Sequence, residues 1–242
     1  MRIAVAGGTG LVGSLVVAQA RDAGDDVVVL ARAVGIDLTT GEGLDDALEG
    51  VDAVIDVTNI QTTSKKRAAE FFEKTTGHLL LAEARAGVHH HVVLSIVGVS
   101  EAGFGYYTAK HAQEELALAS SSTTVLRATQ FHEFASQMLM IKGPFVPVPK
   151  MLCQPIAAAE VAAALVTLAH AEPVGRTPDI AGPQQEFLPD MVRRLAKVRR
   201  DRRLIVPLGI PGKAGKSMSG GGLLPTEPGP RGTQTFAEWL CS

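Results

Sequence analysis

The sequence predicts an α/β fold built on a doubly wound parallel sheet, and three observations carry that prediction. Short apolar runs alternate with helical patterns from residue 2 to about residue 127, and parallel neighbours need such crossovers. A glycine turn joins the first apolar run to the first helical pattern. Alanine, valine and glycine are abundant while aromatics make up 5% of the chain, a composition suited to closely packed α/β layers.

The elements follow in order. Arg2–Ala6 reads as the first strand, and a helix runs from about Gly10 to Ala23, closed by Gly24. Asp26–Ala31 is the second strand, with Val27-Val28-Val29-Leu30 apolar on both faces. Gly35-Ile36-Asp37-Leu38 reads as a brief third strand, and Leu44–Leu48 has helical spacing. Ala53–Val57 is the fourth strand. Ser64 is placed to cap a helix over Lys65–Ala86, which Gly87 stops. His91–Leu94 is the fifth strand, a glycine-rich loop spans Gly98–Gly105, a helix follows over Tyr106–Ala119, and Thr123–Arg127 is the sixth strand.

Beyond that the rhythm changes. Phe131–Ile141 reads as an amphipathic helix, with Met138, Leu139, Met140 and Ile141 as core or pocket wall. Lys142–Pro155 carries four prolines and reads as an extended loop. Ala157–Ala169 and Leu188–Lys197 are helical, Leu204–Val206 a short strand, Lys213–Gly232 a mobile loop and Thr235–Leu240 a last helical turn.

Composition narrows the function. The formal charge is −2, which gives no expectation of binding to nucleic acid or to an anionic membrane. Cys153 and Cys241 match no metal spacing and form no disulfide scaffold, so a reducing cytoplasm is the expected location. The N-terminus carries no secretory pattern, and no apolar run reaches the ~20 residues of a membrane span.

The glycine turn, Gly7-Gly8-Thr9-Gly10-Leu11-Val12-Gly13, indicates a dinucleotide. Gly7 allows a sharp turn off the strand, Gly10 lets backbone approach a pyrophosphate, and Gly13 lets helix pack on sheet. The helix start at Leu11-Val12 offers free N–H groups to phosphate. The spacing is Gly-x-x-Gly-x-x-Gly, which departs from the usual Gly-x-Gly-x-x-Gly. A Rossmann-like sheet follows, with residues 1–127 as the NAD(P)-binding core. Residues 128–242 form a smaller substrate-covering part integrated in the same domain. Arg32 stands nineteen residues past Gly13, where an acidic residue would select NAD and an arginine pairs with the 2′-phosphate. NADP(H) is therefore expected over NAD(H).

A second constellation carries chemistry. Ser95 follows the fifth strand, and Tyr106 and Lys110 share one helix face at i, i+4 spacing. An ammonium beside a phenol lowers its pKa from about 10. The tyrosine then donates a proton to a carbonyl oxygen as hydride arrives, and the serine steadies the oxygen. Tyr107 is the neighbouring alternative acid. His132, in Phe131-His132-Glu133-Phe134, is a candidate to line the substrate pocket or serve as a second acid, against the favoured reading of a plain helix-start polar pair. His89-His90-His91 reads as a loop-end polar run and no metal is expected. The basic stretch from Arg193 to Arg203 reads as a solvated helix face with a subunit contact.

On these motifs, together with Val51–Asp56 and Leu94–Gly98, the chain resembles an atypical short-chain dehydrogenase/reductase of the NmrA-like branch. Bacterial predicted sugar-epimerase-like and quinone-reductase-like proteins belong there. The likeness covers about residues 1–170. It implies a catalytic triad of Ser95, Tyr106 and Lys110, with Lys110 also holding the nicotinamide ribose. It implies Asp37-Leu38 beside the adenine and Thr58-Asn59 near the phosphates and ribose. It implies that Thr129-Gln130-Phe131 passes the nicotinamide and starts the substrate pocket. The function expected is an NADP(H)-dependent reductase of a small carbonyl or quinone, acting as a monomer or homodimer on a small-molecule substrate. The alternatives are a non-catalytic NADP-sensing regulator and, third, an NDP-sugar epimerase or dehydratase.

Overall fold

The computed structural model describes residues 1–62, 64–101 and 105–242. It divides into two compact units, Met1–Ser95 with Phe104–Arg127 and Ala159–Thr177, and Ile96–Gly103 with Ala128–Ala158 and Pro178–Ser242.

In the first unit the elements are β1 (Arg2–Ala6), α1 (Leu11–Asp22), β2 (Asp26–Leu30), α2 (Leu44–Ala47), β3 (Ala53–Asp56), α3 (Lys65–Ala86), β4 (His90–Ile96), α4 (Gly105–Leu118) and β5 (Thr123–Ala128). The chain leaves through α5 (Phe134–Leu139), β6 (Phe145–Pro149) and β7 (Leu152–Cys153), then returns with α6 (Ala158–Ala169) and β8 (Gly175–Arg176). A six-stranded parallel sheet results, in the order β2-β1-β3-β4-β5-β8. It is the Rossmann-like sheet the sequence predicts. Ile3 to Ala6 and Ala53 to Ile55 are fully buried, as strands covered on both faces must be. Chain order reverses between β1 and β3, so the crevice beyond their carboxyl ends is the switch point where such sheets take ligands.

Both ends of α3 follow local chemistry. The Ser64 hydroxyl accepts from the Arg67 N–H at 3.3 Å, and Gly87 ends the helix at φ 72°. The third strand predicted over 35–38 is absent from the sheet. A 3-10 turn over Arg32–Val34 ends at Gly35, and Asp37 forms only an isolated antiparallel bridge to Glu42. The Asp37 carboxylate instead accepts from the Thr39 N–H (2.8 Å) and hydroxyl (2.6 Å), a local turn that competes with strand pairing. Ile36 and Leu38 pack into the core with Leu44, Leu48 and Leu79.

The second unit also carries β9 (Glu186–Phe187), α7 (Leu188–Val198), β10 (Leu204–Leu208), α8 (Gly212–Ser219) and α9 (Phe236–Trp239). β10 pairs with β6 in parallel, and β7 with β9 antiparallel. Three expectations are corrected here. The helix predicted over 131–141 shrinks to Phe134–Leu139, because Phe131 bridges Ile156 and the His132 N–H donates to the Ile156 carbonyl. Met140 and Ile141 consequently stand exposed past the helix end. The proline-rich segment forms β6, since the N–H groups missing at Pro147 and Pro149 are tolerated in a two-stranded ribbon. Residues 213–219 of the predicted mobile loop 213–232 belong to α8. There Gly215 serves close packing, because a Cβ would lie 1.6 Å from the Ile210 carbonyl oxygen. Residues 102–104 of the predicted loop 98–105 lie outside the described residues. Among the described residues no helix is long and apolar enough to cross a membrane.

Candidate functional site

The glycine turn leaves β1 with Gly7 at φ 80°. Its N–H donates to the Leu30 carbonyl, and its carbonyl accepts from Gly10 at 2.9 Å. Gly13 is required by the fold: a Cβ there would sit 2.1 Å from the Gly7 carbonyl oxygen. Gly10 is different. It is exposed, has φ −79°, and among the described residues a Cβ would meet only that same oxygen, at 3.3 Å. Thr9 and Leu11 are exposed beside it, while Val12 is buried and offers backbone alone. Among the described residues no side chain caps α1, so its first N–H groups are open to a ligand.

Arg32 follows β2, exposed and without an ion pair among the described residues. The Thr39 bonds hold the Asp37 carboxyl below its ordinary range, and the Arg32 charge adds to this. Leu38 is buried, its carbonyl 2.9 Å from His78 Nδ1.

Tyr106, Lys110 and Gln113 share a face of α4. The Tyr106 hydroxyl donates to Asn59 Oδ1 at 2.7 Å, and its ring packs edge-on against Phe72 and Tyr107. Lys110 is buried, with Nζ 4.8 Å from the Phe72 ring centre and 3.5 Å from the Thr58 carbonyl oxygen. The sequence expectation that Lys110 lowers the Tyr106 phenol is reversed here. Burial pushes the phenol up, Tyr107 adds to it, and the ammonium is directed at Thr58 and Phe72. Burial also brings Lys110 down to about 8, against the pull of Asp56 and Glu114.

That value fixes a pH dependence. The folded-state pKa lies below the ordinary 10.5, so the unfolded chain binds more protons between about pH 8 and 10.5 and stability rises with pH there. The cost of burying Lys110 is full well below pH 8. It should be smaller by about 2 kcal/mol near pH 9.5 than at pH 7. Denaturant unfolding of Lys110→Met beside wild type should show the variant's advantage shrinking by that amount. A gap independent of pH would contradict it.

One residue whose role the sequence reading missed organises this cluster. Asp56 is fully buried; its Oδ1 accepts from the Thr58 N–H at 2.8 Å and its Oδ2 from Gln113 Nε2 at 2.9 Å. It thereby fixes the turn that carries Asn59 to Tyr106. The signal was a carboxylate ending an otherwise apolar strand, Ala53-Val54-Ile55-Asp56. The hydroxyls of Ser95 and Thr58 are buried with no hydrogen-bond partner among the described residues. Unpartnered buried hydroxyls at strand ends, an uncapped helix start and an open Gly10 fit a polar, phosphate-bearing cofactor.

The predicted substrate residues belong to the second unit. The Thr129 hydroxyl donates to the Gln154 carbonyl at 2.6 Å, so the chain itself engages it. Gln130 keeps both side-chain amide atoms buried without a partner among the described residues. Phe131 is half-buried. His132 is wholly enclosed, its ring beside Phe236 and Trp239 and its Nε2 3.0 Å from the Gln234 carbonyl oxygen; these are packing contacts. In the first unit β4 holds His91, which the sequence already reads as a strand residue, and also His90, which it leaves in the loop-end run; both are buried, with His91 Nδ1 2.8 Å from Glu83 and His90 Nε2 2.7 Å from the Thr124 hydroxyl. His111, Glu114 and Glu115 bring ligand atoms within 4.8 Å of one another, but Arg127 grips both Glu114 oxygens at 2.7 Å.

Comparison with known proteins gives this geometry a context. MoeE5 in complex with UDP-glucuronic acid and NAD is 19% identical over 100% of this chain and 97% of its own, with a TM-score of 0.75. A short-chain dehydrogenase/reductase superfamily protein from Agrobacterium tumefaciens with bound NAD is 18% identical, covering 99% and 95%, at 0.71. UDP-N-acetylglucosamine 4-epimerase from Bacillus cereus is 18% identical, covering 90% and 91%, at 0.68. At these identities the likeness is one of fold. Photosystem II assembly factor Ycf39 from Synechocystis sp. is 33% identical over 115 residues, 42% of this chain and only 35% of that relative. The sequence profile of the NAD dependent epimerase/dehydratase family matches residues 3–132, the stretch holding the glycine turn, Asp56, Ser95, Tyr106 and Lys110. The chain therefore belongs to the NAD dependent epimerase/dehydratase family.

Proposed function

We propose that the protein is an NADP(H)-dependent oxidoreductase acting on a small carbonyl or quinone. The observation that supports it most is the pair of unpartnered buried hydroxyls, Ser95 and Thr58, in the unit whose α4 carries Tyr106 and Lys110. The nicotinamide cofactor, when bound, supplies or accepts the hydride. In this reading Gly7, Thr9, Gly10, Leu11, Val12 and Gly13 present N–H groups to the pyrophosphate. Arg32 takes the 2′-phosphate, Asp37 and Leu38 border the adenine, and Thr58, Asn59 and Lys110 hold ribose. Tyr106 gives its proton to the substrate oxygen, and its raised pKa keeps that proton in place until the oxygen becomes basic. Ser95 donates a hydrogen bond to the same oxygen. Residues 128–242 are assigned to the substrate, and the unpartnered amide of Gln130 is the best-supported contact.

Arg32 carries the cofactor preference. Arg32→Asp should weaken NADPH binding about 10- to 100-fold, the worth of a charge-assisted contact, and leave NADH nearly unaffected in a fluorescence titration. Equal affinity of the wild-type protein for both cofactors would remove the assignment.

Two other readings have their own support. The bond that occupies the Tyr106 hydroxyl on Asn59 favours a non-catalytic regulator that senses NADP. The family match favours an NDP-sugar epimerase or dehydratase. Following NADPH with a panel of quinones and carbonyls, and UDP-glucose with NAD, separates the three. Oxidation of NADPH supports the reductase, conversion of the sugar the epimerase, and cofactor binding without turnover the sensor.

A further inference from the structure

Residues 134–150 and 188–208 hold nine lysines and arginines against two aspartates, although the whole chain carries −2. Both aspartates are engaged: Asp190 pairs with Arg193 and Asp201 with Arg203, each at 2.6 Å. Lys142, Lys197, Arg200 and Arg202 are exposed and pair with no carboxylate among the described residues. The same two segments carry Met140, Leu204, Val198 and Phe145, exposed at 74%, 68%, 57% and 53%. Leu204 and Phe145 are register partners of β10 and β6. Arg203 ties the two segments together by donating to the Leu139 carbonyl at 2.6 Å and to the Ile141 carbonyl. A shallow cavity of about 400 Å³ beside them is lined by Arg193, Lys197, Arg202, Arg203 and Leu204 among others.

Single exposed apolar residues are ordinary, but four on adjoining segments form a patch that marks an interaction site. A second copy of this patch would set cation against cation, so the complement must be anionic as well as apolar. The four apolar side chains come from separate segments, and of the four Leu204 alone among the described residues lines that cavity, which suits a fluid surface better than a shaped protein. We propose that this face docks on an anionic phospholipid surface, with Lys197, Arg200 and Arg202 at the phosphates and Met140, Phe145 and Leu204 reaching below the headgroups. The inference is independent of the reductase reading.

Co-sedimentation of the full chain with vesicles tests it. The chain should bind phosphatidylcholine vesicles containing about 30% phosphatidylglycerol, not phosphatidylcholine alone, and release as salt rises. Arg200→Glu with Arg202→Glu should weaken vesicle affinity more than about tenfold. Leu204→Asp should abolish binding, while Val174→Asp, an exposed apolar site of the first unit, should not. Thermal unfolding checks that each variant is folded. No binding to the anionic vesicles at low salt would overturn the proposal, as would an equal loss in Val174→Asp. Capture of polyglutamate without vesicle binding would overturn it in favour of an acidic protein. Competition by millimolar inorganic phosphate, with Leu204→Asp inert, would favour a small free anion. A lipid-free mass that halves in Leu204→Asp would make the face a contact between copies.

Discussion

Replacing Tyr106 with phenylalanine is expected to lower kcat about 10²- to 10⁴-fold while NADPH affinity stays within about twofold. The ring keeps its edge contacts with Phe72 and Tyr107, and only the hydroxyl bonded to Asn59 is removed. Thermal unfolding should therefore shift little, by the order of one hydrogen bond, about 1 kcal/mol. The proton donor is lost outright, because the neighbouring Tyr107 is at i+1 and projects from a different face of α4. Steady-state rates beside a cofactor titration check the split between kcat and binding. Turnover unchanged in Tyr106→Phe but lost in Tyr107→Phe would transfer the role to Tyr107.

A methyl group at Gly13 should be nearly as damaging, by another route. The Cβ would lie 2.1 Å from the Gly7 carbonyl oxygen and 2.7 Å from Gly8 Cα, both backbone. Either α1 lifts from the sheet or the turn opens, and overpacking of this kind costs about 1–3 kcal/mol or more. Cofactor affinity should fall at least tenfold with it. Gly10→Ala provides the contrast, because its Cβ meets only one oxygen at 3.3 Å and its φ suits any residue. Its apo stability should stay within about 0.5 kcal/mol of wild type while NADPH binding weakens. Thermal unfolding with and without NADPH measures both variants. Equal stability loss at the two positions would mean that Gly10 serves the fold and not a ligand.

The sequence disclosed most where local chemistry decides the outcome. The Ser64 cap, the Gly87 stop and the glycine turn each act within a few residues, and each element stands where its residues require. The pairing of Tyr106 with Lys110 on one face followed from helical spacing alone. What escaped depends on distant partners. Asp56 gains its role from Gln113, fifty-seven residues away, and the Lys110 ammonium turns to Thr58 across fifty-two. The prolines of β6 conceal a strand because its partner, β10, arrives late in the chain. Periodicity placed Met140 and Ile141 on a covered face, but the helix ends at Leu139 and leaves both exposed.

The central claim is that the crevice beside Gly10, Thr58 and Ser95 receives a nicotinamide dinucleotide. Isothermal titration of the purified chain with NADPH tests it most directly. The account predicts saturable binding at one cofactor per chain, weakened in Gly10→Ala without loss of apo stability. Absence of binding at millimolar NADPH and NADH, by a chain that unfolds cooperatively, would contradict it.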